Sequence, residues 1–330
     1  MGFKLYLGEA FGLIGKTMPF IWLRLASYAA LGLGLAIYAA VFGGLAFLLG
    51  SLWQPLGVIV FLVTFFGAFG VVHWVTRYYF YLLKAAHTAV MTEYIVYGQA
   101  PQGSQIAYGK EQVMQRFGST SAMFAVDRLI DGVVRAFTRT FSNLSRLLPI
   151  PGMNSLTALL RRVALYATTY IDEAILSRAY KEREQDIWQA AQDGIVLYAQ
   201  AWKPVLGNAL VLALLSFVEF IAFVILLGLP ALALGAALPA LRVALGIGVL
   251  IGAWMLKLAL SDAFSLASTL IAYHRATEGL EPDSSWKERL AGLSDKFNEL
   301  GRRAQQPRST TANGRSTHSG SGATSPGILR

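Results

Sequence analysis

Residues 25–76 read LASYAALGLGLAIYAAVFGGLAFLLGSLWQPLGVIVFLVTFFGAFGVVHWVT, without one Asp, Glu, Lys or Arg. A bilayer core takes about 20 apolar residues per helix, so the run holds two spans. The break falls at Ser51-Leu52-Trp53-Gln54-Pro55-Leu56-Gly57, where Pro and Gly interrupt the helical pattern. This places span 1 near 20–49 and span 2 near 57–80, the latter continuing as a helix to about Tyr97. A second charge-poor region follows Lys203-Pro204. Residues 205–228 carry one charge, Glu219, and form span 3; 229–241, with Pro230 and Pro239, reads as a connector; span 4 covers 243–273 and carries Lys257 and Asp262.

Composition agrees. Charged residues are 14 % of the chain, against about 25 % in ordinary soluble domains, and 55 % of residues are hydrophobic. The sequence class is an all-α polytopic integral membrane protein with four transmembrane helices. With no Cys, a disulfide framework, a Cys-ligated metal and a thiol nucleophile are excluded. Four scattered His leave little for a metal site, and no metal or other cofactor is expected. The net charge of +9 is assigned to Lys- and Arg-rich cytoplasmic loops, not to nucleic acid, because no basic-aromatic recognition module is present.

Lys4, Lys16 and Arg24 precede span 1, Arg77 and Lys84 follow span 2, and 51–56 has no Lys or Arg. Both termini and the middle region are therefore expected in the cytoplasm, the connectors 51–56 and 229–241 outside, and the protein in a bacterial inner (plasma) membrane. Span 1 exceeds a signal-peptide core, so no processing is expected. The chain divides into 1–98 (first span pair), 99–203 (amphipathic helices at the interface or in the cytoplasm), 204–302 (second span pair and a short helix) and 303–330 (a basic disordered tail).

Within the middle region, 99–120 reads as a polar loop, and 121–148, 154–183 and 184–202 as amphipathic helices. Residues 147–160 are free of charge and too short to span. Their tip, with Leu148, Ile150 and Met153, is expected either to touch lipid or to pack as a cytoplasmic hairpin.

The two span pairs share an order of landmarks. A basic residue and Pro lead into span 1 (Lys16-Thr17-Met18-Pro19) and span 3 (Lys203-Pro204). Gly98-Gln99-Ala100-Pro101 follows span 2, and Gly279-Leu280-Glu281-Pro282 follows span 4. A parallel internal repeat is one reading; common helix-end chemistry is the other.

Glu219 is the most informative single residue, because an intramembrane carboxylate costs several kcal/mol unless paired, protonated or wet. Glu219 and Lys257 lie at matching depth, with Asp262 nearer the cytoplasm. They form either a relay or solute site, or one buried ion pair that fixes helix register. His73 and Arg77, one turn apart, form a second candidate relay; their other reading is an interfacial belt with Tyr78, Tyr79 and Tyr81. No phosphate loop, zinc-protease motif, nucleophile elbow or dinucleotide fingerprint occurs, so no enzyme is expected.

The stretch 155–300 resembles the C-terminal half of choline-transporter-like proteins. The matching residues are Tyr170-Ile171-Asp172-Glu173-Ala174, Asp193-Gly194 and Lys203-Pro204, then Asp262-Ala263-Phe264, His274-Arg275 and Glu281-Pro282-Asp283. The resemblance implies distant kinship, with interfacial helices before a span pair and a short helix after it, and carries over no substrate-site residue. The architecture is also similar to bacterial sulfate-permease-like proteins. The functional expectation is a transporter- or channel-like protein for a small solute or ion, a homo-oligomer in the lipid bilayer. The alternative is a non-catalytic membrane scaffold acting through its amphipathic helices.

Overall fold

A computed structural model describes residues 5–118, 120–142 and 154–306. Among these residues there is no strand. The helices are α1 (Leu7–Lys16), α2 (Met18–Leu52), α3 (Gln54–Val75), α4 (Tyr81–Tyr97), α5 (Gln105–Phe117), α6 (Thr120–Ser142), α7 (Asn154–Lys181), α8 (Ile187–Gln200), α9 (Trp202–Ala237), α10 (Arg242–Leu256), α11 (Asp262–Ala276), α12 (Ser284–Leu293) and α13 (Asp295–Gln305). A π turn, Thr76–Phe80, joins α3 to α4, and a second, Lys257–Ser261, joins α10 to α11. Among the described residues four stretches are long and apolar enough to cross a membrane: Met18–Leu52, Gln54–Tyr97, Trp202–Ala237 and Pro239–Ala276. The chain is thus a membrane-type, all-α protein.

The first hairpin turns on one residue. Trp53 is extended (φ −154°, ψ 106°), and Pro55, in the first turn of α3, needs no backbone N–H partner. Just inside the turn the two backbones touch: a Cβ on Gly57 would run into Gly50 Cα and lie 2.7 Å from Ala46 O. Glycine is required here for close approach, as in other membrane helix pairs.

The second hairpin departs from the sequence reading. Residues 229–241 are not a connector, because α9 runs through Pro230 to Ala237 and the turn is only Leu238 with Pro239–Leu241. Away from water every unpaired backbone group costs several kcal/mol, so helix is kept wherever it can be, and membrane helices tolerate Pro. Glu219 and Lys257 each lie eighteen residues from that turn, counted from Ala237 and Pro239. At about 1.5 Å per residue this is about 27 Å, near the far edge of a core about 30 Å thick. Both sit near the end of the apolar layer and not in its middle.

The spans pack in a row, α3 on α2, α2 on α10 and α10 on α9. Gly32 of α2 meets the Met255 thioether of α10 at this central contact. The outer portions expose large apolar side chains, among them Phe47, Leu52, Phe66, Leu232 and Val243. Lipid is the medium that would cover them.

At the other end the long helices run on into a helical head. There α11 packs on α1, α4, α7 and α9, and its residues 265–273 are all buried. Phe20, Met91, Ile130, Phe137, Ile171, Tyr198, Leu270 and Phe297 are fully or almost fully enclosed. Several sequence expectations change here. Residues 99–120 hold a helix, α5, capped by the Ser104 side chain, which accepts from Ala107 N at 3.4 Å; the polar composition hid the buried face made by Gln112, Val113 and Phe117. The apolar stripe of α6 is already covered: Val126, Ile130, Val133, Val134 and Phe137 are buried, with α7, α8 and α13 against the helix. In place of one short helix after span 4 there are two, α12 and α13, and helix continues to Gln305. The expected lipid-touching tip, with Leu148, Ile150 and Met153, lies outside the described residues, as does the tail beyond 306.

Candidate functional site: a charged seam between spans and head

The centre of the molecule carries more charge than its apolar surroundings lead one to expect. Lys84 of α4 points at α7, where its Nζ lies 2.8 Å from Glu173 Oε1 and 3.3 Å from the Thr169 carbonyl. The Glu173 side chain is 2 % exposed, and its Oε2 has no hydrogen-bond partner among the described residues. Asp172 beside it is buried, and its Oδ1 accepts from Glu173 N at 2.9 Å. Asp127 comes in from α6, next to Tyr81.

A second group lies along the same seam. Lys257 Nζ donates to Asp262 Oδ1 at 2.7 Å, and Tyr170 Oη donates to the same oxygen at 3.0 Å. The Lys257 side chain is 4 % exposed, so this ion pair is desolvated on the lysine side. Arg24 of α2 stands between the groups. It is buried, and the carboxylates whose charge reaches it are Asp262 and Glu173. Its Nη2 has no hydrogen-bond partner among the described residues.

The seam gathers three cations, Arg24, Lys84 and Lys257, against four carboxyls, Asp127, Asp172, Glu173 and Asp262. Burial, and then the neighbouring Glu173 charge, push the Asp127 carboxyl up to about 7. Burial also pushes Asp172 well above the usual carboxylate range, against the pull of Lys84. Like charges in a low-dielectric site share protons, since ionising all of them is too costly. The arrangement can therefore take up and release a proton near neutral pH.

Of the residues singled out from sequence, the fold brings Lys257 and Asp262 together. Glu219 is half-buried; its Oε2 is enclosed without a hydrogen-bond partner, and it forms no ion pair among the described residues. His73 is exposed on the outer face of its helix. Arg77 is exposed and lines a shallow cleft with Phe124, Ala125, Asp127 and Arg128. Sequence reasoning did not place Arg24, Lys84, Asp127, Tyr170, Asp172 or Glu173 in a site. A signal was present in Asp172-Glu173, two acids between Ile171 and Ala174 on a helix buried on all sides over 170–177.

These features define an all-α membrane protein with a desolvated ion-pair seam where its spans enter the head. No family model, no curated protein and no solved structure matches this chain.

Proposed function

We propose that this protein handles a small ion, the proton first, at the seam around Lys84 and Glu173, as a transporter- or channel-like protein. The observation that carries the reading is the buried Lys84–Glu173 pair with Asp127 and Asp172 packed beside it. Ionisable groups buried away from water are expensive, and clusters of them with perturbed titration gather at functional sites. In this reading both termini and the head are cytoplasmic, because Lys and Arg concentrate at that end. The four spans of one chain form a row, so a complete path needs a second copy, and the acting unit is a homo-oligomer.

A duplicated plan belongs to the same proposal. In support, Thr17 before α2 (φ −108°, ψ 25°) and Ala201 before α9 (φ −109°, ψ 24°) have the same backbone geometry. Each second span is interrupted by a five-residue π turn, Thr76–Phe80 and Lys257–Ser261. Gly98, the C-cap of α4, and Gly279, three residues past the end of α11, are both left-handed, with φ 68° and 72°. Sites of duplicated transporters lie between the repeats, and the seam joins Arg24 and Lys84 of the first unit to Lys257 and Asp262 of the second. The kinship of 155–300 with choline-transporter-like proteins is kept as part of this proposal.

The test is reconstitution into liposomes carrying an internal pH dye. Wild type should pass protons under an imposed potential, and Glu173→Gln, which keeps the shape and loses the charge, should reduce that flux at least tenfold. Absence of flux in a folded wild type under any ion gradient would favour the scaffold reading. That reading is weakened by α6, whose apolar stripe is covered by protein over 126–137.

A further inference from the structure

We infer that the cleft between Arg77 and Arg128 holds the phosphate of an anionic phospholipid at the head-side surface of the bilayer. This rests on the spans crossing a membrane and not on ion handling at the seam.

Depth along the helix puts the cleft at the right level. Arg77 lies in the π turn, twenty-three residues from Gln54 at the start of α3. At about 1.5 Å per residue that is about 35 Å along the helix, just beyond a hydrocarbon core of about 30 Å. This is headgroup level. The neighbouring aromatics fit the same level, since Trp74 and Tyr78 are exposed and their rings lie 5.3 Å apart.

Charge points the same way. The cleft, about 380 Å³, is lined by Arg77, Phe124, Ala125, Asp127 and Arg128. Arg77 and Arg128 are both exposed, and neither forms an ion pair with a described residue. Two such guanidinium forks from different elements, α6 and the π turn, can grip one phosphate from two sides. The cleft wall is rigid, because Phe124 stacks on Tyr81 at 4.5 Å and meets Tyr78 edge-on at 5.3 Å.

Asp127 is the one acidic group lining the cleft. Its raised titration lets it meet an anion in protonated form, where it donates a hydrogen bond instead of repelling. The apolar ring and Ala125 beneath the arginines suit the glycerol and first acyl carbons of a lipid better than a free hydrated anion. Basic clefts at the ends of membrane helices are a known class of lipid headgroup site.

The experiment uses the full chain, delipidated in detergent. Phosphatidylglycerol or phosphatidylcholine is titrated in, and bound lipids are counted by native mass spectrometry. Wild type should hold one phosphatidylglycerol in preference to phosphatidylcholine. The double variant R77Q/R128Q should bind it roughly thirtyfold more weakly. K110Q, at an exposed lysine of α5 that does not line the cleft, should bind as wild type does. Helicity by circular dichroism checks each variant; if the double variant does not fold, R128Q alone, on the exposed face of α6, carries the test with a smaller loss. Equal binding of both lipids, or a folded variant that keeps its phosphatidylglycerol, would overturn the proposal. So would displacement of the lipid by millimolar inorganic phosphate, which would make the cleft a plain anion site.

Discussion

Lys257 and Asp262 are bonded twice, through their side chains at 2.7 Å and through the backbone, where Asp262 N donates to Lys257 O. Residues five apart do not face each other on an α-helix, where neighbours are three or four apart. The π turn over Lys257–Ser261 adds the extra residue that brings them into line. A local backbone irregularity thus makes a desolvated ion pair that straight helix could not make.

Removing one partner of this pair should be worse than removing both. Lys257→Met leaves the Asp262 carboxylate with the Tyr170 hydroxyl and the more distant Arg24 charge, and Asp262→Asn takes the carboxylate away from an ammonium that is 4 % exposed. Breaking such a pair costs about 3 kcal/mol, whereas two neutral residues can pack together. Thermal unfolding in detergent should show a drop of several degrees for each single variant and recovery of at least half in the double. Additive losses would mean that the pair is not an energetic unit.

The hairpin between α2 and α3 should be intolerant of one methyl group. The Cβ of Gly57→Ala would meet backbone atoms of Gly50 and Ala46, which cannot swing away as a side chain could. Overpacking of this kind costs about 1–3 kcal/mol. Gly34→Ala, with nothing within 4 Å of the new carbon, should be neutral or slightly stabilising. Melting temperatures of the two variants check the contrast, and equal values would show that the two backbones do not need glycine to approach.

The spans were legible because charge is absent from 25–76 and nearly so from 205–256, and no packing detail is needed to see that. Their ends were less legible. Pro230 looks like a break only when helix competes with solvated loop, and at this depth no solvated alternative exists. The seam was the least legible part. Lys84 reads as an interfacial anchor and Asp127 as one member of a polar face until α4, α6 and α7 are known to meet. The depth match between Glu219 and Lys257 holds as a count along the chain, yet Lys257 turns to Asp262, because a π turn leaves no trace in hydrophobic periodicity.

Orientation is open to a direct measurement, since the chain has no Cys and single thiols are clean probes. Gln54, Ala240 and Gln102 are all exposed, the first two at the hairpin turns and the third in the loop before α5. With the head in the cytoplasm, Gln54→Cys and Ala240→Cys should react with a membrane-impermeant maleimide on intact cells, and Gln102→Cys only after lysis. The reverse pattern would invert the proposed orientation and place the seam at the outer face.

The seam should also make stability depend on pH in a defined direction. Asp127 titrates at about 7 in the folded chain against an ordinary 3.8, and Asp172 is shifted the same way. Between those values the folded protein holds a proton that the unfolded chain has released. Stability from Asp127 is therefore lost as pH rises from about 4 to about 7, and stability from Asp172 is lost in the same direction. Asp283 is shifted down by hydrogen bonds from Ser285 and Trp286, and Glu299 by hydrogen bonds from Arg303 and Arg302, so their contribution vanishes only in acid. Melting temperatures of wild type and Asp127→Asn in detergent are compared from about pH 5 to about pH 8, and the difference between the two curves carries the Asp127 contribution. In Asp127→Asn the amide keeps the size of the carboxyl and cannot ionise, so the variant should lose several degrees less than the wild type over that range. Other titrating groups are common to both proteins and cancel in the difference between the two curves. Parallel curves for variant and wild type would show that Asp127 is ionised throughout, and the proton-holding seam would lose its physical basis.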